Sequence, residues 1–198
     1  MAEGADWLCA QEPRFARAMG DLSPLPLRLK PDGFAQLLSA IVSQQVSVAS
    51  ANAIWGRLTE AGMITPEAVL CTSEDRLKEL GLSRQKVRYA HALAGAGIDY
   101  PALRQTPTSD VLRTLTAVPG IGTWTAEIYA MFSLRRADVF APGDLALQEA
   151  ARLIFDLPER PKERALREMA QDWSPWRSVA ARIMWAYYAY DKQREGIR

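Results

Sequence analysis

An all-α fold, two helical lobes with a cleft between them, is what this sequence predicts. Three observations carry it. Phe34, Leu37, Leu38, Ile41 and Val42 fall at i, i+3, i+4, i+7 and i+8, which is one apolar face of a helix. Ser, Thr or Asp precedes several such stretches and Gly follows them, as helix caps do. No segment alternates with the period of a strand. About ten helices with short links are expected. At 198 residues the chain is one large domain or two small lobes. Its hydrophobic content of 48% and six tryptophans supply a core.

Taken in order, residues 5–20 are expected to form a first helix, with Trp7, Leu8, Phe15 and Met19 as its apolar members. Residues 21–31 hold three prolines and read as a linker. The helix from Phe34 ends in Ser43-Gln44-Gln45-Val46-Ser47, and Ala51, Ile54, Trp55 and Leu58 mark another that Gly62 stops. Thr65 caps a short helix with Pro66 in its first turn. Ser73 starts one that ends at Gly81, and Ser83 caps a longer one along Val87, Ala90, Leu93 and Ala94. Thr108 or Ser109 opens a helix through Val111, Leu112 and Leu115. After a turn, Trp124, Ala126, Tyr129, Ala130 and Phe132 mark an apolar helix. Beyond Asp144 a helix runs to Leu157, and Pro158 and Pro161 separate it from residues 161–171. The last helix begins near Ser174-Pro175 and runs to about Lys192.

The net charge of +1 argues against a chain that coats DNA through global charge. Nucleic-acid binding has to come from a local basic face and oriented amides. Arg160, Lys162, Arg164, Arg167, Arg177 and Arg182 are interleaved with acids and read as a solvated face. His91 is the sole histidine, and a surface or half-buried role is expected for it. Cys9 and Cys71 are too few and too far apart for a metal cluster, and free thiols fit a reducing cytoplasm. No apolar run approaches the ~20 residues of a membrane span. No signal-peptide pattern opens the chain.

The stretch from Leu115 to Asp144 concentrates the chemistry. In Val118-Pro119-Gly120-Ile121-Gly122, two glycines allow backbone angles that a side chain forbids and a close approach to a partner. A helix opens directly after them, so unpaired N–H groups point outward and make an anion site, phosphate being the usual anion. A plain helix–helix turn with a glycine cap fits the same residues. Asp144 follows Pro142-Gly143 at a helix start, where aspartate is also a common N-cap.

Leu115, Pro119-Gly120-Ile121-Gly122, Trp124-Thr125-Ala126, Asp138-Val139-Phe140, Pro142 and Asp144 together resemble the helix-hairpin-helix of the base-excision DNA glycosylases. These enzymes carry a Gly/Pro-rich loop and a downstream aspartate. The branch that matches over a long ungapped run is 3-methyladenine DNA glycosylase II, the alkylation-repair type. The resemblance extends over roughly residues 33–190. It implies one helical barrel lobe at 45–143, with the hairpin at 108–134, and a second lobe from 1–44 and 144–198 together. Some relatives carry an extra N-terminal β-rich domain, and a minimal version without it is expected here. Asp144 takes the catalytic position. A carboxylate beside the anomeric carbon stabilises oxocarbenium-like charge and orients water.

The resemblance also gives a base pocket of Trp124, Ile128 and Trp185. Trp185 lies in the Pro175–Tyr188 stretch, where a Pro-Trp-Arg-Ser run precedes a pocket tryptophan. An indole face stacks on a flipped purine and gains a cation–π contribution from an alkylated, electron-poor base. Read alone, Trp185 is a helical core residue, and Trp124 is as readily a packing aromatic as a pocket wall. Trp176 and Arg177 read as structural. Trp124 stands where bifunctional relatives have the lysine that attacks the sugar as an amine, so no strand-nicking activity is expected. Ile128 stands where the family has a tyrosine, with Tyr129 as its neighbour.

DNA contacts are implied for Gln44, Gln45, Gly120, Gly122, Thr123 and Trp124. Gln45 occupies the position that fills the gap left by the extruded nucleotide, although a polar helix end explains both glutamines as well. Lys86 falls in a segment near the DNA backbone. The carbonyls of Thr116, Val118 and Ile121 are implied to hold Na⁺ or K⁺. No other cofactor is expected, and an iron–sulfur cluster is not, because no cysteine follows Cys71. The expected protein is a monomer in the cytoplasm, at the nucleoid, acting on double-stranded DNA with damaged bases and not on membranes. It releases alkylated purines such as 3-methyladenine and leaves an abasic site. The alternatives are a glycosylase for deaminated bases (hypoxanthine, uracil), one with lyase activity through another amine, and a non-catalytic hairpin module that recognises DNA shape.

Overall fold

The computed structural model describes residues 1–20, 22, 24, 25 and 27–196. Asp21, Ser23 and Pro26 of the expected linker, and Ile197 and Arg198 of the last segment, lie outside the described residues. Among the described residues there are thirteen α-helices, one short 3-10 helix and no strand. The all-α expectation holds, with more helices than the ten expected.

The helices are α1 Ala2–Gln11, α2 Pro13–Gly20, α3 Phe34–Val42, α4 Val48–Glu60, α5 Pro66–Leu70, α6 Glu74–Glu79 and α7 Arg84–Gly95. They continue as α8 Tyr100–Leu103, α9 Thr108–Thr116, α10 Thr123–Phe132, α11 Leu145–Ile154, α12 Glu163–Met169, the 3-10 helix Ala170–Trp173 and α13 Arg177–Gly196. The single helix expected over 5–20 is two. Pro13 has no amide to continue the ladder, and the extended backbone of Glu12 ends the first helix.

Side-chain caps explain several of the starts. Ser47, Thr65, Ser73, Ser83 and Asp99 each accept a bond from the amide three residues on, each contributing about 1 kcal/mol. Thr108 opens α9, as expected; the N-cap position before it is Pro107, which makes no side-chain cap bond. The short α8 escaped the sequence reading because four residues give no periodicity to detect.

The chain forms two compact units, Lys30–Tyr129 and Met1–Leu29 with Ala130–Arg198. The division falls at 29/30 and 129/130, where the sequence expectation put it at 44/45 and 143/144. Two contacts explain the difference. Helix α3 packs on α4 and α7, so it belongs with the hairpin-bearing unit. The segment after α10 is tied to α13 instead: Arg177 pairs with Asp138 at 2.6 Å, and the Ser178 hydroxyl donates to the Arg136 carbonyl and accepts from the Val139 amide.

In the Lys30–Tyr129 unit the apolar face read from sequence is buried: Leu37, Leu38, Ile41 and Val42 are each at most 1% exposed. Each such side chain contributes roughly 1.5–3 kcal/mol. Gly81 and Gly120 have φ of +109° and +94° and end their segments in the left-handed region. In the other unit, α11 packs on α13. Phe15, Phe155, Trp173 and Phe140 form a cluster with ring centroids 5.2–5.6 Å apart, a geometry favourable to aromatic pairs. No described helix is long and apolar enough to cross a membrane.

Candidate functional site

In the unit formed by the two ends of the chain, Pro142, Gly143 and Asp144 turn the backbone into α11. The Gln148 side-chain amide donates to the Pro142 carbonyl at 2.8 Å, and the Asp144 amide donates to Ala141 at 3.0 Å. Asp144 is then the N-cap. Its Oδ1 accepts from the amides of Ala146 and Leu147 at 2.9 and 3.1 Å. The indole Nε1 of Trp185 donates to the same oxygen at 3.2 Å. Three donors therefore orient a half-buried carboxylate, and the helix N-terminus favours its negative charge. The two sequence readings of Asp144, cap and site residue, are compatible: the cap fixes the group.

Trp185 is half-buried on α13. Its ring meets Phe132 at 5.6 Å between centroids, and the Arg182 guanidinium sits 4.8 Å from the centre of that Phe132 ring. Arg182 is 6% exposed and donates to the Ser178 carbonyl at 2.8 Å. Burial lowers its pKa from the ordinary guanidinium value. This corrects the solvated-face reading of Arg177 and Arg182. Arg182 is interior, and Arg177 makes a two-pronged bond to Asp138. Arg177 in turn holds the Asp138 carboxyl below the usual carboxylate range. That pairing agrees with the structural role expected for Arg177.

The Lys30–Tyr129 unit carries the hairpin of α9, the Ala117–Gly122 turn and α10 as far as Tyr129. Gly120 needs its freedom twice over: its φ is positive, and a Cβ there would run into the Tyr89 ring. Gly122 has no positive φ and nothing within 4 Å of the Cβ position, so its smallness serves open space in front of the helix. The expectation of special backbone angles thus holds for Gly120 and not for Gly122. Thr123 and Trp124 open α10, and Trp124 is 46% exposed, so it is no core aromatic. Ile128 is half-buried one turn on. Tyr129 does not replace the missing tyrosine: it is buried, and its hydroxyl accepts from the Gly33 amide at 2.7 Å.

A cavity of about 550 Å³ lies within this unit, lined by the hairpin turn, the Gln44–Val46 segment and the start of α7. The residues whose carbonyls were expected to hold a cation, Thr116, Val118 and Ile121, line it. The Val118 carbonyl also accepts from the Ile121 amide at 3.0 Å, which leaves one lone pair for an ion. Gln45 is exposed with φ +55°, while Gln44 turns inward and donates to the Gly120 carbonyl at 2.8 Å. The reading of both glutamines as a solvated helix end fails for Gln44. Lys86, placed near the DNA backbone by the resemblance, is 8% exposed and donates to the Val42 carbonyl at 2.7 Å. Desolvation lowers its pKa from the usual lysine value. His91 is half-buried, as expected, with Nε2 buried and unbonded.

Sequence reasoning missed Gln148 and the interior role of Arg182. The available signals were a lone glutamine amid Leu147, Ala150 and Ala151, and an arginine three residues before Trp185 on an apolar helix.

Comparison with known proteins agrees with this geometry. A family model described as "HhH-GPD superfamily base excision DNA repair protein" matches residues 38–175. DNA-3-methyladenine glycosylase 1 of Schizosaccharomyces pombe is 28% identical over 181 residues, which cover 87% of this chain and 79% of that protein. The solved DNA-3-methyladenine glycosidase of Bacillus halodurans superposes with a TM-score of 0.85 at 31% identity, over 94% of this chain and 89% of the other. An S. pombe 3-methyladenine DNA glycosylase, solved in complex with abasic DNA, gives 0.80 at 25% identity, over 92% and 95%. With the hairpin, the capped aspartate and these matches in hand, the chain belongs to the HhH-GPD superfamily of base excision DNA repair proteins, in its 3-methyladenine DNA glycosylase branch.

Proposed function

We propose that this protein is a monofunctional DNA glycosylase that releases alkylated purines such as 3-methyladenine from double-stranded DNA and leaves an abasic site. The observation that carries the reading is Asp144, held at the N-terminus of α11 by two amides and the Trp185 indole. Methylation of a ring nitrogen makes the base cationic. When the C1′–N bond breaks, its electron pair returns to the ring, the base leaves neutral, and positive charge passes to the sugar. Asp144 stabilises that charge and orients the water whose oxygen bonds to C1′, its proton passing to the carboxylate or to solvent. Trp185 supplies an aromatic face for the extruded base.

The amides of Gly120, Gly122, Thr123 and Trp124 are proposed to anchor a phosphate, with Gln45 inserted into the duplex. A Na⁺ or K⁺ on the hairpin carbonyls would steady the turn, and no other cofactor is needed. Trp124 offers no amine, which supports hydrolysis without strand nicking. Trp124 and Ile128 keep the base-contacting roles that the resemblance gives them, also as proposals. The protein is proposed to work as a monomer at the nucleoid.

The test is to incubate the protein with randomly methylated duplex DNA and identify the released bases by mass spectrometry, with Asp144→Asn in parallel. Release by the wild type and a loss of about 10²–10⁴-fold in the variant are expected. Abasic sites nicked without alkali would sink the monofunctional assignment. A second reading rests on Ile128. An apolar side chain where the family has a tyrosine weakens stacking and favours neutral deaminated bases, so hypoxanthine- and uracil-containing duplexes belong in the same assay. DNA binding without release of any base would leave the non-catalytic hairpin module as the better reading.

A further inference from the structure

Three links join the hairpin to the loop that carries Gln45, and all lie within the Lys30–Tyr129 unit. Gln44 reaches across from the loop and donates to the Gly120 carbonyl at 2.8 Å. Lys86 donates to the carbonyl of Val42, the last residue of α3 and a C-terminal acceptor that the helix itself leaves unpaired. Tyr89, one turn further along α7, lies against Gly120 so closely that no side chain fits there. Its hydroxyl accepts from Gln85 at 2.6 Å. Helix α7 is thus a platform under both the turn and the loop. Between the fixed ends, Gln45 stands in the left-handed region at φ +55°, a conformation that costs a non-glycine residue free energy and persists only where the surroundings impose it.

We propose that Gln44 is a positioning residue that couples the phosphate-anchoring hairpin to Gln45, with Lys86 bracing the same loop, so that docking of the hairpin sets the depth at which Gln45 enters the duplex. The proposal rests on the glycosylase reading above. In this proposal the Gln44 amide, engaged with the Gly120 carbonyl, acts through the loop in place of the direct DNA contact that the resemblance implies for it. It converts backbone anchoring into base extrusion, and losing it separates the two.

The experiment uses two duplexes, each with one alkylated purine. In the first the purine is paired; in the second it sits in a one-nucleotide bulge, where extrusion is already largely accomplished. Gln44→Leu removes the donor. Gln44→Glu keeps the length but faces the Gly120 carbonyl with a second acceptor. Single-turnover release from the paired lesion is expected to fall at least about tenfold more than release from the bulge in either variant, and affinity for undamaged duplex to change by less than about twofold. A 2-aminopurine beside the paired lesion, which brightens on unstacking with wild type, is expected to stay dark. Equal losses on the two duplexes, with or without an earlier melting midpoint, would assign Gln44 to fold support and overturn the proposal. Unchanged rates on both would overturn it as well. Wild-type protein inactive on both duplexes would instead count against the glycosylase reading, and the 2-aminopurine signal would still decide the coupling.

Discussion

At the scale of single residues, the geometry around Asp144 separates contact from orientation. Trp185 donates to Oδ1 and is proposed to offer its ring to the base. Trp185→Phe keeps a ring and removes the donor. The expected outcome is a kcat about tenfold lower, equivalent to about 1.4 kcal/mol, with KM little changed, read by single-turnover and steady-state release from methylated DNA. A kcat equal to wild type would mean that the bond orients nothing. Asp144 was legible in the sequence because its neighbours Pro142 and Gly143, and the hairpin upstream, form one continuous pattern. Its bond to Trp185 was not, since 41 residues separate the partners and no local period links them. Gln148 and Arg182 were overlooked for another reason, although their apolar neighbours hinted at them. A polar side chain is expected outside, and only tertiary packing decides that these two are enclosed.

At the scale of elements, the segment after α10 is held to the start of α13 by Asp138, Arg177 and Ser178. Arg177 depresses the Asp138 pKa in the folded protein. The stabilisation is therefore present above the ordinary carboxylate value of about 3.9 and is lost as pH falls through the lower, folded value. Asp138→Asn is expected to lower stability at pH 7 by about 1–2 kcal/mol, discounted because the pair is one-third exposed. The difference from wild type should shrink as pH falls from about 4 toward 2. Thermal melts of both proteins across that range check it, and a constant difference would place the loss in packing rather than charge. Helix starts at α4, α5, α6, α7 and α11 were legible because a Ser, Thr or Asp cap precedes them; the Asp99 cap of α8 was overlooked because only four residues follow it. The break at Glu12 and the short α8 were not legible, because neither leaves a trace in hydrophobic spacing.

At the scale of the whole molecule, a net charge of +1 and the proposed anchoring by amides have a common consequence for DNA affinity. Each phosphate neutralised by a charged side chain releases counterions and adds about −0.9 to the slope of log affinity against log salt. Neutral amides add nothing. A slope shallower than about −4 is expected from titrations between 50 and 200 mM salt, and a much steeper one would reveal a basic surface beyond the hairpin. The helical class was legible because its signal is spread over many residues. The unit boundaries were less so, because they follow packing: α3 goes with α7 although a loop separates it from α4, and the division at 129/130 falls inside α10 itself.

The cap made by Asp144 has an implication for inheritance. Asparagine caps a helix about as well as aspartate does, so, if Asp144 carries the chemistry as proposed, an exchange of one oxygen for nitrogen silences it while leaving a sturdy protein behind. Such an allele is not an absence. On the proposed mechanism its product would still occupy lesions and stand between them and any working copy.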